Sequence, residues 1–347
     1  MRKICVIGHF GFGLNAADGQ TIKTATVTRA LQNAYGDDAV TTYDTHGSIK
    51  TLLKMPFLVH RALQNSEQIV IFPAHRGLRV IVPLLSFFNR RYHRSLHYCV
   101  IGGWLPELLA NHPFLTARLK EFDGIYVETK TMKHTLESMG FANIFIVSNC
   151  KPLTPLAEGE MQTSYEEPYR LCIFSRVMKE KGIEDAVQTV KRVNDGRGRI
   201  IFTLDIFGPV DALQKDWFEK LQDTFPVYVR YRGTVPSDQS ADTIKDYFAL
   251  LFPTRFYTEG VPGTIIDAYA AGVPVIAARW ESFHDMINDG VTGIGYPFDD
   301  ADGLYRVLSD VCSDPQRIIR MKASCAAAAA DYLPQNALKP LFDNLGV

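Results

Sequence analysis

Short β-branched, apolar runs alternate with longer amphipathic stretches along this chain, and the alternation occurs twice. No other feature constrains the fold as strongly, because strands separated by helical crossovers form parallel sheets with helices on both faces. In the first half KICVI, AVTTY, QIVIF, LHYCVI, GIYVE and IFIV read as strands, with helical periodicity over residues 21–35, 49–65, 78–89 and 131–139. The run KPLTPLAEGEMQTSYEEPYR has no periodicity and is rich in Pro, Glu, Ser and Thr, so it reads as a linker. LCIF, IFTLDIF, VYVRY, FALLF and PVIAA then form a second set of strands, with helices near 183–193, 212–224, 243–247 and 263–271. The expected fold class is α/β, with two Rossmann-like domains facing across a cleft. Residues 1–155 form the first domain, 156–168 the linker and 169–330 the second domain, and residues 331–347 pack back toward the first.

Composition is compatible with this division: 347 residues, 46% hydrophobic and 22% charged, suffice for two cored domains of roughly 150 residues each. The six cysteines are widely spaced, with no C-x-x-C and no His/Cys cluster at zinc spacing. They read as reduced, mostly buried small hydrophobes, which favours a cytoplasmic protein. MRKICVIGHFGFG has too short an apolar run for a signal segment, and nowhere is there an apolar span of about 18 residues that could cross a bilayer. The alanine run at 326–330 is helix-forming.

Net charge of −1 hides an asymmetry. Residues 1–155 hold 17 Lys/Arg against 10 Asp/Glu, leaving 20 against 28 of the chain's 37 and 38 for the remainder. In SIKTLLKMPFLVHRAL and LLSFFNRRYHR the cations Lys50, Lys54, Arg90, Arg91 and Arg94 are interleaved with Phe, Leu, Met and Tyr. That composition suits a patch on an anionic membrane, where each cation contributes about 1 kcal/mol, and it equally suits a solvated face. No nucleic-acid motif accompanies the charge.

Rossmann-like domains bind ligands at the carboxyl ends of their strands. After the first strand come Gly8, Gly11 and Gly13, spaced G-x-x-G-x-G, and Asp44 ends the next strand, so phosphate binding, or a nicotinamide dinucleotide, is one reading and a tight turn the other. In LCIFSRVMKEKGIEDAV, Arg176 and Lys181 follow a strand end, where a planar guanidinium and a compact ammonium could neutralise a diphosphate; two surface cations on a loop is the plainer alternative. In YTEGVPGTIIDAYAAGVPVIAARW, Gly263 falls where a helix begins, so the amides of Gly263 and Thr264 could cradle a phosphate. Glu259 would then lie toward the outer phosphate and Asp267, about one turn into the helix, toward the nucleoside. A sugar bound by one acid and a ribose by the other, with the diphosphate between them, accounts for the eight-residue spacing. Dipole complementation by Asp267 and solvation of Glu259 is the alternative.

These segments resemble the retaining GT-B glycosyltransferases of family 4, and within them bacterial enzymes of capsule and exopolysaccharide assembly. FSRVMKEKGIEDA looks like the family's G-R-L-x-x-x-K-G segment, and EGVPGTIIDAYAAGVPVIA matches its E-x7-E motif with the A-x-G-x-P-V-I sequel. LDIFGP and YRGTV, and more weakly DGQTIKT and IVSNCKPL, are similar too. The resemblance implies that Arg176 and Lys181 bind the diphosphate, Glu259 the donor sugar and Asp267 the ribose. It also implies that Gly13 or Gly19 closes on the phosphate and that Gly208, Gly233, Thr234, Val235, Gly260, Gly263 and Thr264 line the donor site. Two departures stand out: Asp267 replaces Glu, and Val100-Ile101-Gly102-Gly103-Trp104 occupies the place where many members carry a histidine. His75, Gly103 and Trp104 are the candidates for the acceptor side.

The implied reaction moves a sugar from a nucleoside diphosphate sugar, UDP foremost, to a hydroxyl of a lipid-linked or growing glycan, with retention and no metal or other cofactor. Asp300-Ala301-Asp302 matches D-x-D formally but reads as a turn and helix cap. The expected partners are the nucleotide sugar, the acceptor and an anionic membrane surface on its inner face, with no nucleic acid. Two other classes remain: a GT-B enzyme that epimerises or hydrolyses nucleotide sugars without an acceptor, and a nicotinamide oxidoreductase.

Overall fold

In the computed structural model, which describes residues 3–11, 19–45 and 49–346 but not the side chains of 49–52 and 158, the chain forms two compact units. Unit 1 comprises Met1–Pro152 and Tyr332–Val347, and unit 2 Leu153–Asp331.

Unit 1 runs β1 (Ile4–Gly8), α1 (Gly19–Tyr35), β2 (Val40–Asp44), α2 (Ile49–Asn65), β3 (Gln68–Ile71), α3 (His75–Tyr92), β4 (Ser95–Cys99), α4 (Leu105–Ala110), α5 (Pro113–Leu119), β5 (Gly124–Val127), α6 (Lys130–Ser138) and β6 (Ile144–Ile146). The sheet is parallel, in the order β2-β1-β3-β4-β5-β6. ICVIG, QIVI and GIYV are buried at every position, as strands covered on both faces must be. A residue larger than glycine at position 8 would put a Cβ 2.6 Å from Thr24, so Gly8 lets α1 lie close to β1.

Unit 2 runs β7 (Tyr169–Phe174), α7 (Ile183–Arg197), β8 (Phe202–Phe207), α8 (Lys215–Gln222), β9 (Val229–Gly233), α9 (Ser240–Ile244), β10 (Ala249–Phe252), α10 (Gly263–Ala270), β11 (Val275–Arg279), α11 (Phe283–Met286), β12 (Gly293–Pro297), α12 (Gly303–Ser313) and α13 (Gln316–Ala328). Its parallel sheet has the order β12-β11-β10-β7-β8-β9. The sequence pattern yields five strands here; the sixth, GIGYP, is diluted by two glycines and a proline, yet four of its five residues are buried. After unit 2 the chain returns to unit 1 through α14 (Pro334–Ala337) and α15 (Lys339–Leu345); Leu338 between them and Leu341 and Leu345 of α15 join the core around Ile4, Val6 and Val70.

Two α/β units with six-stranded parallel sheets are the expected fold class. All six cysteines are free thiols, five of them buried, and burial pushes the Cys5 thiol up to about 12. Among the described residues no helix is long and apolar enough to cross a membrane.

Candidate functional site

In unit 2, β10 and β7 are neighbours, yet the chain leaves β7 toward β8 on one side and β10 toward β11 on the other. That reversal opens a crevice at the carboxyl ends of the two strands, the usual ligand position in such sheets. Lys181 and Glu259 meet there. The Lys181 ammonium donates to Oε1 of Glu259, with both side chains mostly buried. Phe252 and Phe256 flank the ammonium at 5.5 and 5.1 Å. Contacts of neighbouring residues brace the pair: the Arg255 amide donates to the Glu180 carbonyl at 2.8 Å, and the Arg255 guanidinium makes two bonds to Asp185 at 2.8 and 2.7 Å.

Arg176 emerges from the end of β7 and is half exposed, its Nη1 3.9 Å from Asp211. Gly208 makes room beside it, because a Cβ there would fall 1.8 Å from the Ser175 carbonyl oxygen. The amide of Gly208 donates to the Gly233 carbonyl at 2.9 Å, which ties the loops after β8 and β9 together. Thr234 and Val235 follow, Thr234 exposed and Val235 half-buried.

α10 starts at Gly263, as its sequence requires. Its N-cap residue is Pro262, which makes no side-chain cap, so its first turn has no side-chain acceptor from that position. The Thr264 hydroxyl oxygen is buried there without a hydrogen-bond partner. Gly260 is buried, and Asp267 is only 1% exposed and engaged within the protein.

The glycine loop of unit 1 gives less. Gly13 lies outside the described residues, and Gly19 opens α1 with nothing within 4 Å of where a Cβ would be. The Asp44 carboxylate accepts the Phe10 amide at 3.0 Å, a structural use for the acid on which a dinucleotide reading depends. On the carboxyl edge of the same sheet the His75 ring lies against Trp104, centroids 3.9 Å apart, and the Trp104 indole donates to the Ile101 carbonyl at 2.7 Å. Desolvation, and after it the Arg79 charge, lowers the His75 pKa, with Glu107 opposing. Gly103, between Gly102 and Trp104, is half-buried.

Sequence reasoning missed the buried ion pair beneath this edge. Lys23 of α1 donates to Glu128 at 2.6 Å and to the Val100 carbonyl at 3.1 Å, and the other Glu128 oxygen accepts the Gly102 amide at 3.3 Å. The lysine and glutamate are 105 positions apart, beyond the reach of any local pattern.

Asp300 accepts the Asp302 amide at 3.1 Å and pairs with Arg306, while Asp302 pairs with Arg192. The Asp300 carboxylate thus serves the turn before α12, whereas Asp302 stands at the N-cap position without making a side-chain cap and reaches Arg192 of α7 instead; among the described residues no group of three or more His, Cys, Asp or Glu could hold a metal. Of the basic patch, Lys54, Arg90 and Arg91 are exposed, and the side chain of Lys50 is outside the description. Arg94 departs from expectation: its Nε donates to the Leu63 carbonyl at 3.0 Å, so it braces α2 from the turn after α3 rather than extending free.

Residues 168–314 match the family Glycosyl transferases group 1. A D-inositol 3-phosphate glycosyltransferase of Streptomyces scabiei is 35% identical over 104 residues, 30% of this chain and 23% of the relative. An uncharacterized 41.2 kDa protein in the cps region of Klebsiella pneumoniae is 28% identical over 151 residues, 44% of this chain and 38% of the relative. The chain thus spans well under half the length of either. Among solved structures, HepE of Anabaena in complex with UDP superposes with a TM-score of 0.75 at 12% identity, covering 99% of both chains, a likeness of fold. The matched segment, residues 168–314, is the part of the chain that holds Arg176, Lys181, Glu259 and the start of α10, and the fold is that of GT-B structural neighbours.

Proposed function

We propose that this protein is a retaining glycosyltransferase. It moves a sugar from a nucleoside diphosphate sugar, UDP foremost, to a hydroxyl of a lipid-linked or growing glycan in cell-surface polysaccharide assembly. The observation that carries this reading is the meeting of Lys181 and Glu259 in the crevice at the carboxyl ends of β7 and β10, inside the segment that matches the family.

The diphosphate lies against the first amides of α10, with the Thr264 hydroxyl as a further donor and Arg176 and Lys181 as countercharges. As the bond from the anomeric carbon to the phosphate oxygen breaks, negative charge grows on the leaving group, and these donors stabilise it without a metal. The acceptor oxygen bonds to the anomeric carbon on the same face, and its proton passes to the departing phosphate oxygen. Glu259 accepts hydrogen bonds from the donor sugar. Relatives named for glycosyltransfer and for the cps region, and a UDP-bound structural neighbour, support this reading.

The same reading places the protein peripherally on the cytoplasmic face of a membrane. Leu53 and Phe57 of α2 and Phe87 of α3 are 76, 65 and 65% exposed, in helices that also expose Lys54, Arg90 and Arg91, and Phe114 of α5 is 62% exposed. Exposed aromatics beside cations are the composition of an interfacial helix face.

The deciding experiment incubates the protein with a panel of UDP- and GDP-sugars, with and without a lipid-linked acceptor extract, and follows free nucleotide and acceptor extension. Extension with release of UDP supports the proposal. Nucleotide release that never extends an acceptor favours a hydrolase or epimerase, and a parallel thermal shift with UDP, GDP and NAD in which NAD alone stabilises the protein overturns the proposal.

A further inference from the structure

The loop leaving β10 contains a residue with no role so far. Thr254 is 2% exposed, and its hydroxyl has two partners. Oγ1 accepts the Phe256 amide at 3.1 Å and donates to Oε1 of Glu259 at 2.9 Å. A hydroxyl carries one proton, so an amide already pointing at the oxygen leaves that proton free for the carboxylate. Lys181 donates to the same oxygen, Oε1. Among the described residues the hydrogen bonds from Lys181 and Thr254 therefore converge on one carboxylate oxygen and leave Oε2 on the other side of the group.

We propose that Thr254 is a positioning residue: it anchors Oε1 of Glu259 so that Oε2 is presented to a hydroxyl of the transferred sugar. The inference rests on the donor-site reading above and adds a division of labour between the two oxygens. Lys181 is needed by the diphosphate and is drawn toward it when the donor binds. Thr254 has no such second claim, because its hydroxyl is buried and its other partner is the backbone of its own loop. Once the ion pair loosens, Thr254 is the contact that keeps the carboxylate in place. A hydrogen bond from a hydroxyl to a carboxylate is stronger than one between neutral groups, which suits an anchor.

Thr254→Val removes the hydroxyl at nearly constant shape, and Thr254→Ser keeps it. With the full chain, calorimetric binding of UDP is compared with that of UDP-glucose, UDP-galactose, UDP-N-acetylglucosamine and GDP-mannose. UDP affinity is expected to be unchanged in both variants. The extra affinity, or the turnover, that the sugar contributes is expected to fall about tenfold in Thr254→Val and to return in Thr254→Ser. An unchanged sugar contribution in Thr254→Val overturns the proposal, as does an equal loss in both variants. A crystal of the double variant Lys181→Ala, Thr254→Val, compared with one of Lys181→Ala alone, decides the point without any ligand: a Glu259 carboxylate that holds its place in Lys181→Ala and is displaced in the double variant supports the anchor, and one unmoved by the added Thr254→Val overturns it. If the wild type binds no nucleotide, the donor-site reading fails on its own account, and the position of the carboxylate in those crystals still judges the anchor.

Discussion

Gly182 abuts Pro253 so closely that a Cβ on the glycine would lie 1.9 Å from the proline carbonyl oxygen. This contact brings the start of α7 against the end of β10 and places Lys181, one residue earlier, opposite Glu259. Gly182 also has φ of 67°, which favours glycine. Gly182→Ala is therefore expected to cost about 2 kcal/mol or more in urea unfolding, and to abolish nucleotide binding by moving Lys181. Unchanged stability and binding would show that the two strand ends approach for another reason.

The Lys181–Glu259 pair separates binding from transfer. Lys181→Ala removes a phosphate contact and is expected to weaken UDP binding by about 1.5–3 kcal/mol. Glu259→Gln keeps the side chain's size but frees Lys181 from its partner, so UDP binding should hold or tighten while transfer is lost. Isothermal calorimetry with UDP, alongside a transfer assay, checks both; a Glu259→Gln enzyme with normal turnover would contradict the assigned role.

How much of this was legible in the sequence depends on whether a feature is local. The strand ICVIG and the start of α10 at Gly263 are written in contiguous residues, as an apolar run and a proline-glycine break, and both appear where the sequence puts them. Arg176, Lys181 and Glu259 were named from loop position, and the structure joins the second and third directly. Thr254 escaped notice because a threonine in a loop carries no periodicity, and its value lies in the direction of one proton. Lys23 was invisible for a different reason: TIKTATVTRAL offers no apolar stripe sharp enough to show that the lysine points inward.

That lysine makes a stability prediction. Lys23 and Glu128 are buried together, with side chains 1% and 3% exposed. Lys23→Met leaves a carboxylate buried without its countercharge, and is expected to destabilise unit 1 by about 3–5 kcal/mol. The double variant Lys23→Met, Glu128→Leu removes both charges and should recover most of that loss. Chemical denaturation of the single and double variants measures the coupling, and additive losses would mean the pair does not act as a unit.

The exposed face of α2 and α3 predicts sensitivity to both lipid charge and apolar substitution. Replacing Arg90 and Arg91 by Ser should weaken sedimentation with vesicles rich in anionic lipid and leave neutral vesicles unaffected. Replacing Phe57 and Phe87 by Ser should weaken binding to the anionic vesicles without changing its salt dependence, because the aromatic contribution is not coulombic. Wild-type protein that ignores anionic vesicles would assign these residues to another partner.

Lys322 supplies a test by pH. It lies on α13, 1% exposed, with Nζ 5.2 Å from the Tyr165 ring centre and no hydrogen-bond partner. Desolvation by burial lowers its pKa from 10.5 to about 8, against smaller opposing contributions from Cys325, Asp246 and Cys172. Above pH 10.5 the amine is neutral in both states and burial costs no charge. As pH falls from there toward 8, the unfolded chain takes up the proton while the folded chain does not, so stability is lost across that window. Below 8 both states are protonated and the penalty is constant, about 3 kcal/mol. Lys322→Met has no proton to lose, so it should be more stable than the wild type at pH 7, with the gap narrowing by about that amount as pH rises past 10. Urea midpoints of both proteins across this range measure the gap, which cancels the titration of every other group. A gap independent of pH would mean that water reaches the ammonium in solution.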